Sequence, residues 1–295
     1  ALADTRRTEL HEMAGTPLLL TMMVIVNYTE GLPDSRAQLY EQLVQQLLFE
    51  WERIRLNASG QQAGLDLLLT ANDIQKADLE TRLNELAFAI HDPAQSRDTV
   101  DIPEHRLLAA LKRAYAADLA DFATNRAATD WALQVLHLIS TRSGLINEVD
   151  IASDGPAVRR EEATYQFVHR TFQEYLAARW LATAEDEVSG DDISYALIEE
   201  RVDQTEWREA ILLAIGYLAA VLPRATERTG NLLHGLWPDL DRTPALWPRT
   251  LLLSEALIHL LGEKRLGRVR NPKVREDLQT WARRDLRRIM QDRRR

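Results

Sequence analysis

Within residues 164–182, TYQFVHRTFQEYLAARWLA, the spacing of apolar side chains changes from one regular structure to the other. Tyr165 and Phe167 alternate onto one face, and the aromatic and β-branched residues around them favour a strand. Phe172, Tyr175, Leu176 and Trp180 then fall at i, i+3, i+4 and i+8, the stripe of an amphipathic helix. Thr171 and Glu174 have capping-box spacing, so the helix is expected to be capped at Thr171. His169 and Arg170 then sit just outside a helix N-terminus, where unpaired N–H groups and the helix dipole attract anions, phosphate above all. Two readings of the His169 ring follow. Either it ends the strand and hydrogen-bonds locally, or it meets an anion.

Little else in the chain offers chemistry. It has no cysteine, which excludes disulfides, thiol catalysis and cysteine-ligated zinc and suits a reducing, cytoplasmic setting. The seven histidines show no HxxxH or HExxH spacing, so no metal site is expected. No glycine-rich run ends in Lys-Ser/Thr, no apolar strand ends in paired acids, and no G-x-S-x-G elbow occurs. No catalytic residue is assigned, and the chain alone is not expected to be an enzyme. Asp4, Arg6, Arg7 and Glu9 interrupt any signal-peptide run, and the longest apolar stretches fall short of the roughly 20 residues of a membrane span.

Charge is unevenly placed. Residues 263–295 hold thirteen Lys and Arg against five Asp and Glu, although the whole chain carries −9. A basic end on an acidic body can touch nucleic acid or an acidic surface, but it is more often a solvated helix face.

Elsewhere the periodicity predicts helices. The first runs over residues 4–27 and breaks at Gly15-Thr16-Pro17, with Pro17 opening a new helix over 18–28 that is apolar nearly all round and expected to be buried. Ser35 is placed to cap the next helix, whose stripe is Leu39, Leu43, Leu47, Trp51 and Ile54. Residues 57–64 read as a flexible loop, and Asn72 or Asp73 as the start of a helix over 74–91. A short strand at 99–102, helices at 104–118 and 129–141, a C′ glycine at Gly144 and a strand at 145–149 follow. The polar loop 150–162 then leads back to the strand and helix described first. Helices, a hairpin with a long tip and a helix make the order of a winged helix with its wing at 150–162. The 129–141 helix carries Asp130 and no Lys or Arg, which argues against DNA reading. After Glu185 the pattern is wholly helical, with candidates at 191–201, 205–222, 225–236, 244–261 and 273–290 and with Trp207, Trp237, Trp247 and Trp281 as core anchors. The fold expected is mainly α: a winged-helix domain with a small β-hairpin, followed by an α-helical domain, HEAT-like or a bundle.

Two stretches at this separation, Gly15-Thr16-Pro17-Leu18-Leu19-Leu20-Thr21 and Phe167-Val168-His169-Arg170-Thr171-Phe172-Gln173-Glu174-Tyr175-Leu176-Ala177-Ala178, resemble the regulatory half of NACHT-type STAND signalling NTPases, the class that includes animal NLR receptors and bacterial relatives. Leu32-Pro33, Arg36 and Leu39-Tyr40-Glu41 also look like the segment that follows the proline in that family. The resemblance covers about residues 5–182. It implies that Pro17 packs on adenine and that His169 contacts the β-phosphate of bound ADP, with Thr16 and Arg170 beside them. It further implies residues 1–32 as the end of a first helical domain, 33–186 as the winged-helix domain and 187–295 as a C-terminal helical domain.

The nucleotide-binding subdomain with its P-loop and magnesium acid is absent and is expected before Ala1, in a longer protein. ADP or ATP, and magnesium with it, would be held mainly there. The resemblance implies an ADP-sensing, autoinhibitory arm of an ATP-driven switch in bacterial signalling or antiviral defence, with homo-oligomers on activation and an unknown trigger. The alternatives are a nucleic-acid-binding helical module using the basic end, or a helical scaffold without ligand.

Overall fold

The computed structural model describes residues 10, 13–29, 31–50, 64–92, 101–115, 126–149, 163–185, 192–222, 225–237, 247–257 and 266–292. The chain divides into two compact units, one of residues 40–177 and one of residues 1–39 with 178–295. No helix among the described residues is long and apolar enough to cross a membrane.

The unit of residues 40–177 begins within helix α2, Arg36–Gln45, which a π-helical turn, Gln46–Glu50, extends. Helix α3 is Gly64–Ala71 and α4 is Lys76–His91. Strand β1, Ile102–Pro103, leads directly into α5, Glu104–Tyr115. Helix α6, Arg126–Leu138, closes in a π turn, Ile139–Ser143, and Gly144 takes the left-handed conformation at φ 68° that a side chain would resist. Strands β2, Ile146–Glu148, and β3, Thr164–Phe167, precede α7, Arg170–Thr183.

These strands form one antiparallel sheet in the order β1-β3-β2. Ile102 pairs with Tyr165 across one edge, and Ile146 pairs with Phe167 across the other. Tyr165 and Phe167 are buried while Gln166 between them is exposed, as the two-residue period requires. Burial, then the carboxylates of Glu104 and Glu148, push the Tyr165 phenol up from its ordinary value. Helix α5 packs on both α4 and α6. Leu79, Leu83, Leu107, Leu111, Trp131 and Val135 are buried on these three helices.

In the other unit, α1 is Pro17–Thr29, with proline at the first helical position as its missing N–H allows. Ser35 caps α2, its Oγ accepting the Gln38 N–H at 3.3 Å. At this end of α2, Arg36 donates to Glu209 and Gln38 donates to the Ala220 carbonyl, which fixes it to α9, Arg208–Ala220. Helix α8, Ser194–Glu199, a 3₁₀ turn, Thr205–Trp207, and helices α10, Thr226–Leu236, α11, Trp247–Ala256, and α12, Pro272–Asp292, complete the unit. Trp207 and Trp237 are buried as expected of anchors, and Trp281 is half-buried against the His234 ring, 4.8 Å between centroids. Arg228 ties α10 to the Ala182 carbonyl and to Ser194 at 2.9 Å each. A Cβ added at Gly230 of α10 would come within 2.9 Å of Val269 Cγ2, and one at Gly235 within 2.8 Å of Tyr195 Cε2.

The mainly α class with a small antiparallel sheet is the one the sequence implied. The sheet has a third strand, because the run expected at 99–102 begins at Ile102 and takes in Pro103; residues 99–100 lie outside those described. The wing at 150–162 also lies outside them. Three further expectations are corrected. Asn72 and Asp73 close α3 rather than open α4: Asp73 adopts φ 55° and the Ile74 N–H returns to the Leu69 carbonyl, so Gln75 becomes the N-cap of α4. Helix α3 begins at Gly64, the last residue of the loop expected at 57–64, and is carried by Leu65 and Leu69 in the core. Helix α6 reaches Arg126, so it is not free of basic charge, although Arg126 stands 3.8 Å from Asp130 on an exposed face.

Candidate functional site at the start of helix α7

Strand β3 delivers the chain to His169 without slack. The Val168 N–H donates to the Leu145 carbonyl at 3.1 Å, extending the ladder one residue past β3, and the next residue turns into the helix. Helix α7 starts at Arg170, two residues earlier than its capping box implied of a cap at Thr171. His169 is therefore the N-cap. Its carbonyl accepts the Phe172 N–H at 3.0 Å, and its Nδ1 accepts the Thr171 N–H at 3.3 Å. The Thr171 hydroxyl lies 2.8 Å from the same nitrogen. The predicted capping box is thus corrected: Thr171 stands in the first turn, with its N–H on the imidazole and its hydroxyl beside the same nitrogen. Glu174, the other member of that box, accepts from Arg170 Nε at 3.0 Å.

A backbone amide can only donate, so the hydrogen bond from Thr171 assigns the ring proton to Nε2. The ring is half-buried, and its Nε2 has no hydrogen-bond partner among the described residues. Local bonding by the histidine is therefore real, but it occupies only one of the two nitrogens. Arg170 is exposed beside it.

Behind this end, α7 is held tightly. Phe172 meets the Tyr40 ring edge-on at 5.9 Å, and Tyr175 stacks on the same ring at 5.5 Å. The Tyr175 hydroxyl donates to Glu41 Oε2 at 2.6 Å. Gln45 Nε2 then bridges Glu41 at 3.1 Å and Glu80 at 2.9 Å, joining α2 to α4. The Leu39-Tyr40-Glu41 and Phe172-to-Tyr175 motifs thus meet through Tyr40 and Glu41, and together they hold the helix that His169 caps. The sequence offered no signal for this partnership beyond the motifs themselves.

The other residues singled out from the sequence, Thr16 and Pro17, belong to the other compact unit. Thr16 is half-buried and its carbonyl accepts the Leu20 N–H at 2.9 Å, while Pro17 is exposed at the start of α1. Helix α1 is not buried all round as its composition implied. Leu19, Met23 and Val26 are covered, but Leu20, Val24 and Tyr28, at i, i+4 and i+8, are 40%, 61% and 92% exposed. Among the described residues no group of three or more His, Asp or Glu is placed to hold a metal ion.

The set α4, β1, α5, α6, β2, β3, with the first strand of the antiparallel sheet before α5 and the other two after α6, defines a winged helix-turn-helix domain. Residues 36–181 match the family described as the winged helix-turn-helix domain C-terminal to NACHT, and this segment belongs to that family. The chain is accordingly similar to the part of NACHT proteins that follows their NACHT domain. No curated protein and no solved structure shows significant similarity to the chain.

Proposed function

We propose that this chain supplies the ADP-sensing, autoinhibitory arm of an ATP-driven NACHT switch of the STAND type. The observation that carries the reading is the His169 imidazole, whose Nε2 is left with no partner among the described residues at the N-terminus of α7, in a domain of the family C-terminal to NACHT. A helix N-terminus and a ring N–H both suit a phosphate oxygen. The residues present therefore fit a nucleoside diphosphate held mainly by the NACHT domain, where the magnesium would also lie. In the resting state His169 donates Nε2–H to the ADP phosphate and so couples the winged helix to the nucleotide. Pro17, with Thr16 beside it, packs on the adenine.

A charge-assisted hydrogen bond contributes about 1.5–3 kcal/mol. One such contact biases a two-state equilibrium roughly tenfold to a hundredfold, provided that ADP favours the closed state. When the contact is lost the winged helix is free to move, and the protein assembles into homo-oligomers. Bacterial signalling, including antiviral defence in the cytoplasm, is the setting this mechanism fits. In the NACHT-bearing protein, His169→Ala is expected to shed ADP about tenfold to a hundredfold faster and to assemble spontaneously. Bound-nucleotide retention and sedimentation measure both. Wild-type retention in a monomeric variant would remove the switch reading.

A further inference from the structure

We propose that the start and outer face of α12 bind the phosphodiester backbone of nucleic acid, without reading its bases. His169 and its nucleotide have no part in this contact. Basic residues elsewhere in the same compact unit are neutralised by the protein itself: Arg36, Arg201, Arg208, Arg228 and Arg249 each form an ion pair with a carboxylate of that unit. Arg268, Arg270, Lys273, Arg275 and Arg283 pair with no carboxylate among the described residues, and all but the half-buried Arg275 are exposed. Glu276 is the single exposed carboxylate in that stretch, since Asp277 is half-buried 3.0 Å from His234 Nε2. The sequence then continues in the same sense, with seven arginines against two aspartates in residues 283–295.

The positive charge is carried by side chains rather than by the helix end. Asn271 Oδ1 accepts the Lys273 and Val274 N–H groups at 3.1 and 3.4 Å, and the Glu227 carboxylate accepts those of Arg270 and Asn271. The first turn of α12 is thus capped from within. Its apolar residues are also occupied: Val274, Leu278 and Ala282 are buried, and α12 packs on α10 and α11. The residues that face solvent, Lys273, Glu276, Gln279, Thr280 and Arg283, include no apolar side chain.

That combination selects the partner. A protein surface is held chiefly by buried aromatic or aliphatic anchors, and a membrane surface holds a basic segment firmly only when an apolar face or lipid chain inserts. Nucleic acid needs neither, because each phosphate neutralised releases condensed counterions. Arginine suits phosphate oxygens through its paired N–H donors. The rest of the chain is acidic and repels a polyanion, which confines the contact to this surface.

The test is salt dependence. Binding of the whole chain to fluorescent duplex DNA, duplex RNA and single-stranded DNA of about 20 nucleotides is followed by anisotropy from about 50 to about 200 mM KCl. Neutralising about three to five phosphates is expected to give a slope of log K against log salt of about −2.7 to −4.5 on duplexes, a loss of about 40-fold to 500-fold across that range. All three are expected to bind, because the phosphodiester is the group they share; binding of only one would overturn the backbone reading. Arg283→Gln is expected to reduce the slope by about 0.9. The combined Arg268→Gln, Arg270→Gln, Lys273→Gln and Arg283→Gln variant should bind about tenfold to a hundredfold more weakly at low salt, with an unchanged melting temperature. Arg106→Gln on α5, an exposed cation of the other unit, should leave the slope as in wild type. No binding at about 50 mM KCl, wild-type binding by the combined variant, or equal affinity for polyglutamate or for vesicles containing phosphatidylserine would overturn the proposal.

Discussion

Helices α1 and α7 reverse what their compositions imply. Helix α1, PLLLTMMVIVNYT, contains no charged residue, yet it leaves Leu20, Val24 and Tyr28 in solvent along one side. Helix α7, RTFQEYLAARWLAT, carries Arg170, Glu174 and Arg179, yet every residue from Phe172 to Arg179 is buried. The difference lies in partners. Glu174 is covered with Arg170 as its hydrogen-bond donor, and the Arg179 guanidinium lies over the Tyr217 ring at 5.6 Å. Apolar content tells which faces could be buried. Whether they are depends on what the rest of the fold brings to them.

This contrast can be broken by substitution. Phe172→Ala in α7 is expected to cost about 3–5 kcal/mol, the price of a large cavity beside Tyr40, whereas Val24→Ser in α1 should change stability by no more than about 0.5 kcal/mol. Urea midpoints of the two variants measure the gap, and equal losses would mean that α1 is as covered as α7. A finer cut is Tyr175→Phe, which leaves the ring stacked and deprives Glu41 of one donor. About 1–2 kcal/mol should be lost, and less if Gln45 alone is sufficient for that carboxylate.

Smallest is a pH effect in the strand that feeds α7. The folded Tyr165 phenol ionises above its unfolded value of 10, so the folded chain keeps its proton where the unfolded chain gives it up. Its contribution is complete below pH 10 and disappears as pH rises through the folded value. Unfolding midpoints compared at pH 9 and pH 11 should fall in wild type and fall less in Tyr165→Phe.

Much of this was legible in the sequence. The change of period at 164–182 located β3 and α7, Ser35 announced α2, Pro17 announced α1 and Gly144 announced the end of the helix before the hairpin, because each is a local signal with a local cause. The capping box misled. Thr171 and Glu174 have the required spacing, but the strand ladder runs through Val168 and leaves room for only one residue before the helix, so tertiary hydrogen bonding moved the cap to His169. The exposed side of α1 was equally invisible, since its cause is long-range packing. The bonds from Thr171 to Nδ1 could have been anticipated only from a histidine already known to be the cap.

The paired glycines of α10 constrain how this chain can be improved. Replacing a helical glycine by alanine ordinarily stabilises by roughly 1 kcal/mol. Here the two positions part ways: at 235 the obstacle is the rim of the Tyr195 ring, which is 40% exposed, while at 230 it is the two methyls of the buried, β-branched Val269. At 230 an alanine asks Val269 to shift, so thermal hardening by that route is expected there only when Val269 is made smaller in the same step.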